Sequence, residues 1–334
     1  MKGARLLVRA LRDPGSVGEC DWAGLVSAAR AEQLIGSLAF RMEGQPMPPR
    51  VAALFEAARR DAAQARVQAL WEAEMARRAL APLGVPIILM KGTAFHAARF
   101  DACVGRSVGD LDILVPRPSL PDVEAALLEA GWERVKDADG YDDAYYRQWM
   151  HELPPLIHRT RDRMIDVHHT ILPLTARPRP DAAALIADSV VLESGLQILF
   201  PADIIVHAAA HLLADGDLAG GLRNLWDIDR LLREFVAADP GFWSRLEERA
   251  LLHQLVRPVR RAARLANDLY GTPIPAKWRS WSPLDALFRA RLLARNGWGQ
   301  ERRKALRFGF YLRGHWLRMP AAMLARHLWI KATR

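Results

Sequence analysis

The sequence predicts an α+β fold, with a central mixed sheet and flanking helices, N-terminal helices before it and a C-terminal helical bundle after it. Three features of the 334 residues indicate this. Apolar residues first recur at helical spacing, short apolar runs then alternate with turns, and helical spacing finally returns. We therefore divide the chain into an N-terminal helical section (1–83), an α/β core (84–175), a C-terminal helical domain (176–300) and a basic amphipathic tail (301–334).

The composition argues against several classes of protein. No run of 18 apolar residues occurs, so we expect no transmembrane segment. The first 15 residues lack the pattern of a signal peptide. Two cysteines, Cys20 and Cys103, are too few for a disulfide framework and fit a reducing compartment. We therefore expect a cytoplasmic protein, with Cys103 as a packing residue rather than a nucleophile.

The N-terminal section is predicted to form helices over residues 21–42 and 50–80, separated by Pro46, Pro48 and Pro49. Both segments are rich in Ala, Glu and Arg, and their apolar residues are spaced three and four apart. The second segment is about thirty residues long and carries both signs of charge on its polar face. A helix lying along its own domain is favoured over one that joins a coiled coil.

The core is predicted to contain six short strands, in the segments VPIILM, DLDILVP, GWERVKD, YYRQWM, PPLIHR and MIDVHHTI. The first is a compact apolar run after a turn, which is typical of a buried strand. A helix is expected to begin within KGTAFHAARF and another to span residues 119–130, with Ser119 as its N-cap. Beyond Pro180 the spacing predicts helices, among them PADIIVHAAAHLLA and LRNLWDIDRLLREFV.

Two carboxylates stand two residues apart in DLDILVP, at Asp110 and Asp112. Residues i and i+2 of a strand project from one face, so these acids lie side by side and their like charges repel. Leu111, Ile113 and Val115 then point to the opposite face, into a core. Either the acids are solvated at an exposed strand end, or they hold a cation.

A third acid, Asp166, lies in MIDVHHTI. Three carboxylates on adjacent strand faces form a site for hard divalent cations, which take oxygen ligands. Two Mg²⁺ ions held in this way can activate an attacking hydroxyl and stabilise a leaving pyrophosphate. The glycine turn after the first strand would also let a phosphate chain approach backbone N–H groups.

The segments ILMKGTAF, RSVGDLDILV and IDVHH resemble the nucleotidyltransferase superfamily that includes DNA polymerase beta and the kanamycin nucleotidyltransferases. Within it they are most similar to the bacterial uncharacterised nucleotidyltransferase family, and the likeness extends over residues 20–300. The resemblance implies a nucleotidyltransferase-type sheet with Asp110, Asp112 and Asp166 as metal ligands. Asp166 would also accept the proton of the acceptor. The resemblance further implies Mg²⁺ as cofactor and ATP or another NTP as donor.

The turn after the first strand contains Lys91, Gly92 and Thr93. The wider superfamily places Gly-Ser or Gly-Gly here, whereas the narrower family has the pattern found in this chain. Thr93 could supply a hydroxyl, and Lys91 a compact charge, to the donor phosphates. Arg106, four residues before the first acid, could clamp phosphates with two hydrogen bonds. The alternatives stay open: an exposed lysine at a strand end, and an arginine in a surface loop.

Four histidines and one acid are further candidates. His168 shares a strand face with the third acid and could lie on the substrate side of the site, whereas His169 points away and is expected to pack. His207 and His211, four apart on a helix, could bind metal, but no Glu follows His207 to complete a hydrolase motif, so a structural role is favoured. A substrate-facing role for Asp227 rests on the family likeness alone.

The basic character of the chain is concentrated in its tail. The net charge is +9, and residues 301–334 carry nine Lys or Arg against one acid. Arginines there alternate with aromatic residues and leucines at roughly helical spacing. The segment either packs its apolar side on the body or meets an anionic partner, which could be a membrane surface, RNA or an acidic protein.

The sequence therefore predicts an Mg²⁺-dependent nucleotidyltransferase that moves a nucleoside monophosphate, AMP from ATP, onto a hydroxyl of a small molecule, peptide, protein or nucleic acid. The alternative is a catalytically inactive module of the same fold that acts through its basic tail on nucleic acid or a partner protein. The intact set of three acids favours the enzyme. Nothing in the sequence identifies the acceptor.

Overall fold

A computed structural model describes residues 3–135, 146–214, 217–319 and 324. In this part of the chain, helices surround a central seven-stranded mixed sheet, which confirms the predicted α+β fold. None of the described helices is long and apolar enough to cross a membrane.

The N-terminal section forms four α-helices, α1 (Ala4–Arg12), α2 (Trp22–Ala31), α3 (Ile35–Arg41) and α4 (Pro49–Leu80). The helix predicted over residues 21–42 is broken in two, because Gln33 adopts a left-handed conformation with φ 54°. The long helix α4 begins at a proline, whose fixed φ and missing N–H suit the first helical position. It packs against α3 and lies along its own domain, as predicted.

The core supplies most of the sheet. Its strands and helices are β1 (Ile88–Leu89), α5 (Lys91–Ala98), β2 (Asp110–Leu114), α6 (Leu120–Glu129), β3 (Trp132–Arg134), β4 (Leu156–His158) and β5 (Met164–His168). Two further strands follow, β6 (Val190–Val191) and β7 (Gln197–Ile198), and the strand order is β3-β4-β5-β2-β1-β7-β6. The pairs β2–β5 and β1–β7 are parallel and the others are antiparallel.

Two predictions about the sheet were wrong. The predicted strand YYRQWM is a helical turn over residues 146–149, closed by the bond from the Met150 N–H to the Tyr146 carbonyl, while residue 145 lies outside the described residues. Arg147 in this turn pairs with Glu124 on α6. The region after residue 176 is not wholly helical, because β6 and β7 form a hairpin at the sheet edge around Gly195, whose φ is 79°.

One predicted helix cap is also absent. Ser119 stands at the N-cap position of α6, but its backbone is itself helical and its side chain makes no capping hydrogen bond. The residue continues a preceding 3₁₀ turn, so the chain enters the helix without the extended conformation that an N-cap requires.

The C-terminal half is the predicted bundle. It contains α7 (Ala182–Ala187), α8 (Pro201–Leu213), α9 (Gly221–Ala238), α10 (Phe242–Leu252), α11 (Val256–Tyr270), α12 (Pro283–Leu292) and α13 (Lys304–Arg318). The helices α8 to α11 pack against one another, and α8 is buried over most of its length. The boundaries of the four predicted segments stay a prediction.

The described part of the tail packs on the body. The Phe310 ring of α13 is buried and lies 4.9 Å from the Phe288 ring of α12. Phe308 on the same helix is exposed. Residues 320–323 and 325–334 lie outside the described residues, and an anionic partner for the tail stays a prediction.

Candidate active site

The parallel pair β2–β5 brings the three predicted acids together. Asp112 and Asp166 are register partners across the pair, and Asp110 precedes Asp112 on the same face. The three residues each offer a carboxylate oxygen, and these oxygens all lie within 4.8 Å of one another. We call Asp110, Asp112 and Asp166 the acidic trio. Leu111 and Ile113 point to the other face and are buried, as the strand alternation predicted.

Each member of the acidic trio has a different environment. Asp110 is exposed at the start of β2, Asp166 is half-buried and Asp112 is buried. Burial, and the neighbouring carboxylates of Asp112 and Glu152, raise the pKa of Asp166 to about 7. Burial by itself would also raise the pKa of Asp112, but Lys91 and His168 hold it well below its usual range.

Lys91 lies at the beginning of α5, directly after β1, in a left-handed backbone conformation with φ 47°. The Met90 N–H donates to the Asp112 carbonyl at 3.0 Å, so the backbone of this turn is bonded to β2. The Lys91 ammonium donates to Asp112 Oδ1. Burial alone would lower its pKa, but the acidic trio raises it above the usual range, so Lys91 is charged. The lysine is therefore inside the site rather than on the open surface.

Arg106 lies directly over Gly92. A Cβ at Gly92 would be 1.6 Å from Arg106 Nη1, so only glycine permits this approach. The Arg106 guanidinium donates from Nε to Asp227 Oδ2 at 2.9 Å, and its carbon lies 5.2 Å from the centre of the Phe95 ring. Arg106 is therefore a buried member of the site, not a surface-loop arginine, and the structure joins it to the predicted residue Asp227.

Thr93, like Asp166 and His168, is a predicted residue that does not line the cavity described below. Its side chain is buried, and its hydroxyl oxygen has no hydrogen-bond partner among the described residues. The turn of α5 carries it to the opposite side from Lys91, so its predicted contact with a donor phosphate lacks support.

His168 reaches the site from the end of β5, as its strand face predicted. Its Nε2 lies 3.0 Å from Asp112 Oδ1, so it contacts the acidic trio directly. His169 points to the other side, contacts the Met150 carbonyl at 3.2 Å, and has a pKa lowered to about 4 by burial. His207 lines the cavity beside the site, and burial and Lys91 lower its pKa well below the usual range.

A cavity of about 790 Å³ opens beside the acidic trio, and Asp110 and Asp112 of the trio line it. Its lining comes from β1, β2, α5 and the loop before β2, and from helices α2, α3, α4, α8 and α9. The lining includes Arg30, Gln33, Asp61, Lys91, Gly92, Arg106, Asp110, Asp112, His207, His211, Arg223, Asn224 and Asp227. The lining therefore carries carboxylates together with three arginines, Arg30, Arg106 and Arg223.

Arg223 is a cavity residue that the sequence analysis did not single out. Its Nη2 donates to the Ser107 carbonyl at 2.8 Å, and its Nη1 donates to Gln33. Burial and the neighbouring Arg106 lower its pKa to about 10. The sequence spacing could have identified this residue, because Arg223 precedes Asp227 by four residues and therefore lies on the same face of α9.

Comparison with protein families identifies the family of the chain. The family model described as Uncharacterised nucleotidyltransferase matches residues 18–271, which is most of the chain and includes every cavity residue named above. The chain belongs to this family. It is therefore a nucleotidyltransferase, and the acidic trio of this nucleotidyltransferase is a group that could hold a metal ion. A search of curated proteins found no match.

Proposed function

We propose that this nucleotidyltransferase transfers AMP from ATP to a hydroxyl group of an acceptor, with Mg²⁺ held by the acidic trio. The observation that carries the proposal is the placement of three carboxylates within 4.8 Å of one another, beside a cavity whose lining includes Arg30, Arg106 and Arg223. Carboxylate oxygens are the donor set that Mg²⁺ prefers.

The residues of the chain fit a two-ion site. Asp110, Asp112 and Asp166 would hold the ions. Asp112 could contribute to both, because it is next to Asp110 on the same face of β2 and is the register partner of Asp166 on β5. Bound Mg²⁺ would lower the pKa of the acceptor hydroxyl and neutralise charge on the leaving pyrophosphate. The like charges of the trio make a cation there favourable, since they repel one another without one.

The arginines of the cavity lining would take the donor phosphates. Arg106 is buried and Arg223 is half-buried, and a guanidinium binds phosphate with two hydrogen bonds. Asp227 neutralises only part of this charge, so an anion is favoured here. Lys91 would exchange its bond to Asp112 for one to a donor phosphate when the trio takes up its ions.

The reaction would then proceed by in-line displacement. The acceptor oxygen attacks the α-phosphorus, the bond between that phosphorus and the bridging oxygen breaks, and pyrophosphate leaves. Asp166 would accept the acceptor's proton. Catalysis would come mostly from positioning and charge stabilisation, as in phosphoryl transfer generally.

An inactive binding module that acts through its basic tail is the alternative. Family membership and the complete acidic trio support the enzyme. The test is to incubate the protein with Mg²⁺, each of the four NTPs and a panel of hydroxyl-bearing acceptors, followed by intact-mass analysis of the acceptors. An added nucleoside monophosphate that is absent with Asp110→Asn would support transfer. Nucleotide binding without any pyrophosphate release across the panel would favour the binding module.

A further inference from the structure

A second group of metal-ligating side chains lies behind the acidic trio, on the short segment 151–153 that runs antiparallel to the end of β5. Glu152 and His168 are bridge partners, and the His169 N–H donates to the His151 carbonyl at 2.9 Å. Leu153 continues the pairing through its N–H to the Val167 carbonyl at 2.9 Å. The backbone therefore fixes His151, Glu152 and His168 beside one another.

The distances within this group suit one small ion. His151, Glu152 and His168 each offer one ligand atom, all within 4.8 Å of one another. Glu152 Oε2 lies 3.3 Å from His168 Nδ1 and 3.7 Å from His151 Nε2. Ligands at the usual zinc distances lie about 3.4 Å apart around a tetrahedral ion, and two imidazoles on it have ring centres about 5 Å apart. The ring centres of His151 and His168 are 5.2 Å apart.

The Nδ1 atom of His168 supplies an independent observation. His151 and His168 are both more than nine-tenths buried. His168 Nδ1, the atom that lies 3.3 Å from Glu152 Oε2, has no hydrogen-bond partner among the described residues. A buried imidazole nitrogen is ordinarily satisfied, so this atom calls for a ligand.

The other ring nitrogen of His168, Nε2, contacts a carboxylate, which is a usual partner of metal-bound histidines. His168 Nε2 lies 3.0 Å from Asp112 Oδ1. A histidine that binds a metal through one nitrogen commonly donates from the other to a carboxylate, which fixes the orientation of the ring. Asp112 would occupy that position here, as well as belonging to the acidic trio.

We infer that His151, Glu152 and His168 form a second metal site, for a transition-metal ion of the Zn²⁺ type. Two imidazoles and a carboxylate are a zinc-type donor set and a poor one for Mg²⁺, which prefers oxygen ligands. An ion here would hold the His168 ring and, through it, the Asp112 carboxylate. The inference does not depend on which nucleotide or acceptor the enzyme uses.

The experiment is a Co²⁺ titration of the full chain. The protein is stripped of metal with a chelator and then titrated in excess Mg²⁺, which competes with Co²⁺ for the carboxylates of the acidic trio. Visible absorption reports Co²⁺ that is bound by a small number of ligands, some of them nitrogen atoms. A subsequent titration with Zn²⁺ should displace the bound Co²⁺. We expect one tightly bound Co²⁺ per chain, with affinity weakened roughly tenfold or more in His151→Ala and Glu152→Gln.

Two variants act as controls for other sites. Asp110→Asn alters the acidic trio and His211→Ala alters the pair His207 and His211 on α8, and both should bind Co²⁺ as the wild type does. Glu152→Gln is nearly isosteric and decides the outcome if His151→Ala does not fold, which near-ultraviolet circular dichroism reports. The inference is overturned if the wild type gives no such absorption, if Glu152→Gln binds normally, or if His211→Ala alone abolishes binding.

Discussion

Lys91 is the built-in counterion of the acidic trio. Its ammonium donates to Asp112 Oδ1, and the three carboxylates together raise its pKa. The side chain remains 25% exposed, so it can move toward the cavity without unfolding its surroundings. In the proposed reaction, an ammonium at this place would compete with a divalent cation for the same oxygen and would become available to phosphate once the cation had bound.

We predict that Lys91→Ala lowers turnover but strengthens divalent-cation binding when no nucleotide is present. The lost charge contact to phosphate is worth about 1.5–3 kcal/mol, or roughly tenfold or more in kcat/KM. Cation affinity should rise because the competing ammonium is gone. Kinetics together with Mn²⁺ titration measure both effects, with Lys277→Ala, a lysine paired at the surface with Glu247, as the control. Unchanged kinetics would show that Lys91 has no role in the reaction.

Asp166 should make the stability of the metal-free protein depend on pH. Its pKa is about 7 in the folded protein and about 3.9 in an unfolded chain, so the folded state binds the extra proton between these values. The free energy of unfolding that this group contributes therefore falls as pH rises from about 4 to 7, and is level above that. In chelator, the Tm of the wild type minus that of Asp166→Asn should decrease over this range. A constant difference would contradict the raised pKa.

At the scale of elements, the site depends on the turn from β1 into α5. Gly92 in this turn leaves room for the Arg106 guanidinium, which joins the turn to α9 through Asp227. The turn, the loop that carries Arg106 and the distant helix α9 therefore meet at one residue without a side chain. The site needs this close approach because the arginine would otherwise be excluded from the cavity wall.

We predict that Gly92→Ala displaces Arg106 and weakens nucleotide binding by roughly tenfold or more, the size of one lost charged hydrogen bond. The new methyl group would also meet Val108 at 2.9 Å, so a lower Tm is expected. Gly109→Ala is the matched control, because a Cβ at Gly109 meets no atom within 4 Å among the described residues. Titration with a fluorescent ATP analogue compares them. Equal affinity of the two variants would show that Arg106 does not need its present position.

Some parts of the fold and of the site could be predicted from the sequence, and others could not. The spacing of Asp110 and Asp112 fixed their common face, and the motif around Asp166 identified the third acid. Their approach depends on the parallel pairing of β2 with β5, which local spacing does not encode. The two-residue strands β6 and β7 are too short to give periodicity, and the bond between Arg106 and Asp227 spans 121 positions. Contacts of this kind follow only from the assembled fold.

At the scale of the whole molecule, the charge is divided between the body and the tail. The tail carries nine Lys or Arg against one acid, while the rest of the chain is close to neutral. In the described part, Phe310 anchors α13 on the body, and Arg307 pairs with Glu301. Arg302, Arg303 and Lys304 at the start of α13 are exposed, so they contribute positive charge to the surface.

We predict that replacing Arg302, Arg303 and Lys304 by glutamine weakens capture of an anionic partner without lowering Tm by more than a degree or two. Exposed charges contribute little to stability but act over about 10 Å at 0.1 M salt. Binding to a heparin column at two ionic strengths measures the effect, and Phe310→Ala serves as the contrasting variant that lowers Tm. Salt-independent binding equal to wild type would leave the tail with a packing role only.

The central claim is that the acidic trio holds the cation on which nucleotide binding depends. Asp110→Asn tests it most directly, since Asp110 is exposed and its loss should cost little stability, whereas Asp112 also bonds Lys91 and His168. The measurement is Tm with and without Mg²⁺–ATP, for wild type, Asp110→Asn and the exposed control Asp122→Asn. We expect all three to melt alike without ligand. Ligand at a hundred times its Kd should stabilise the wild type and the control by about 2.7 kcal/mol and leave Asp110→Asn nearly unchanged. An equal gain in Asp110→Asn would contradict the claim.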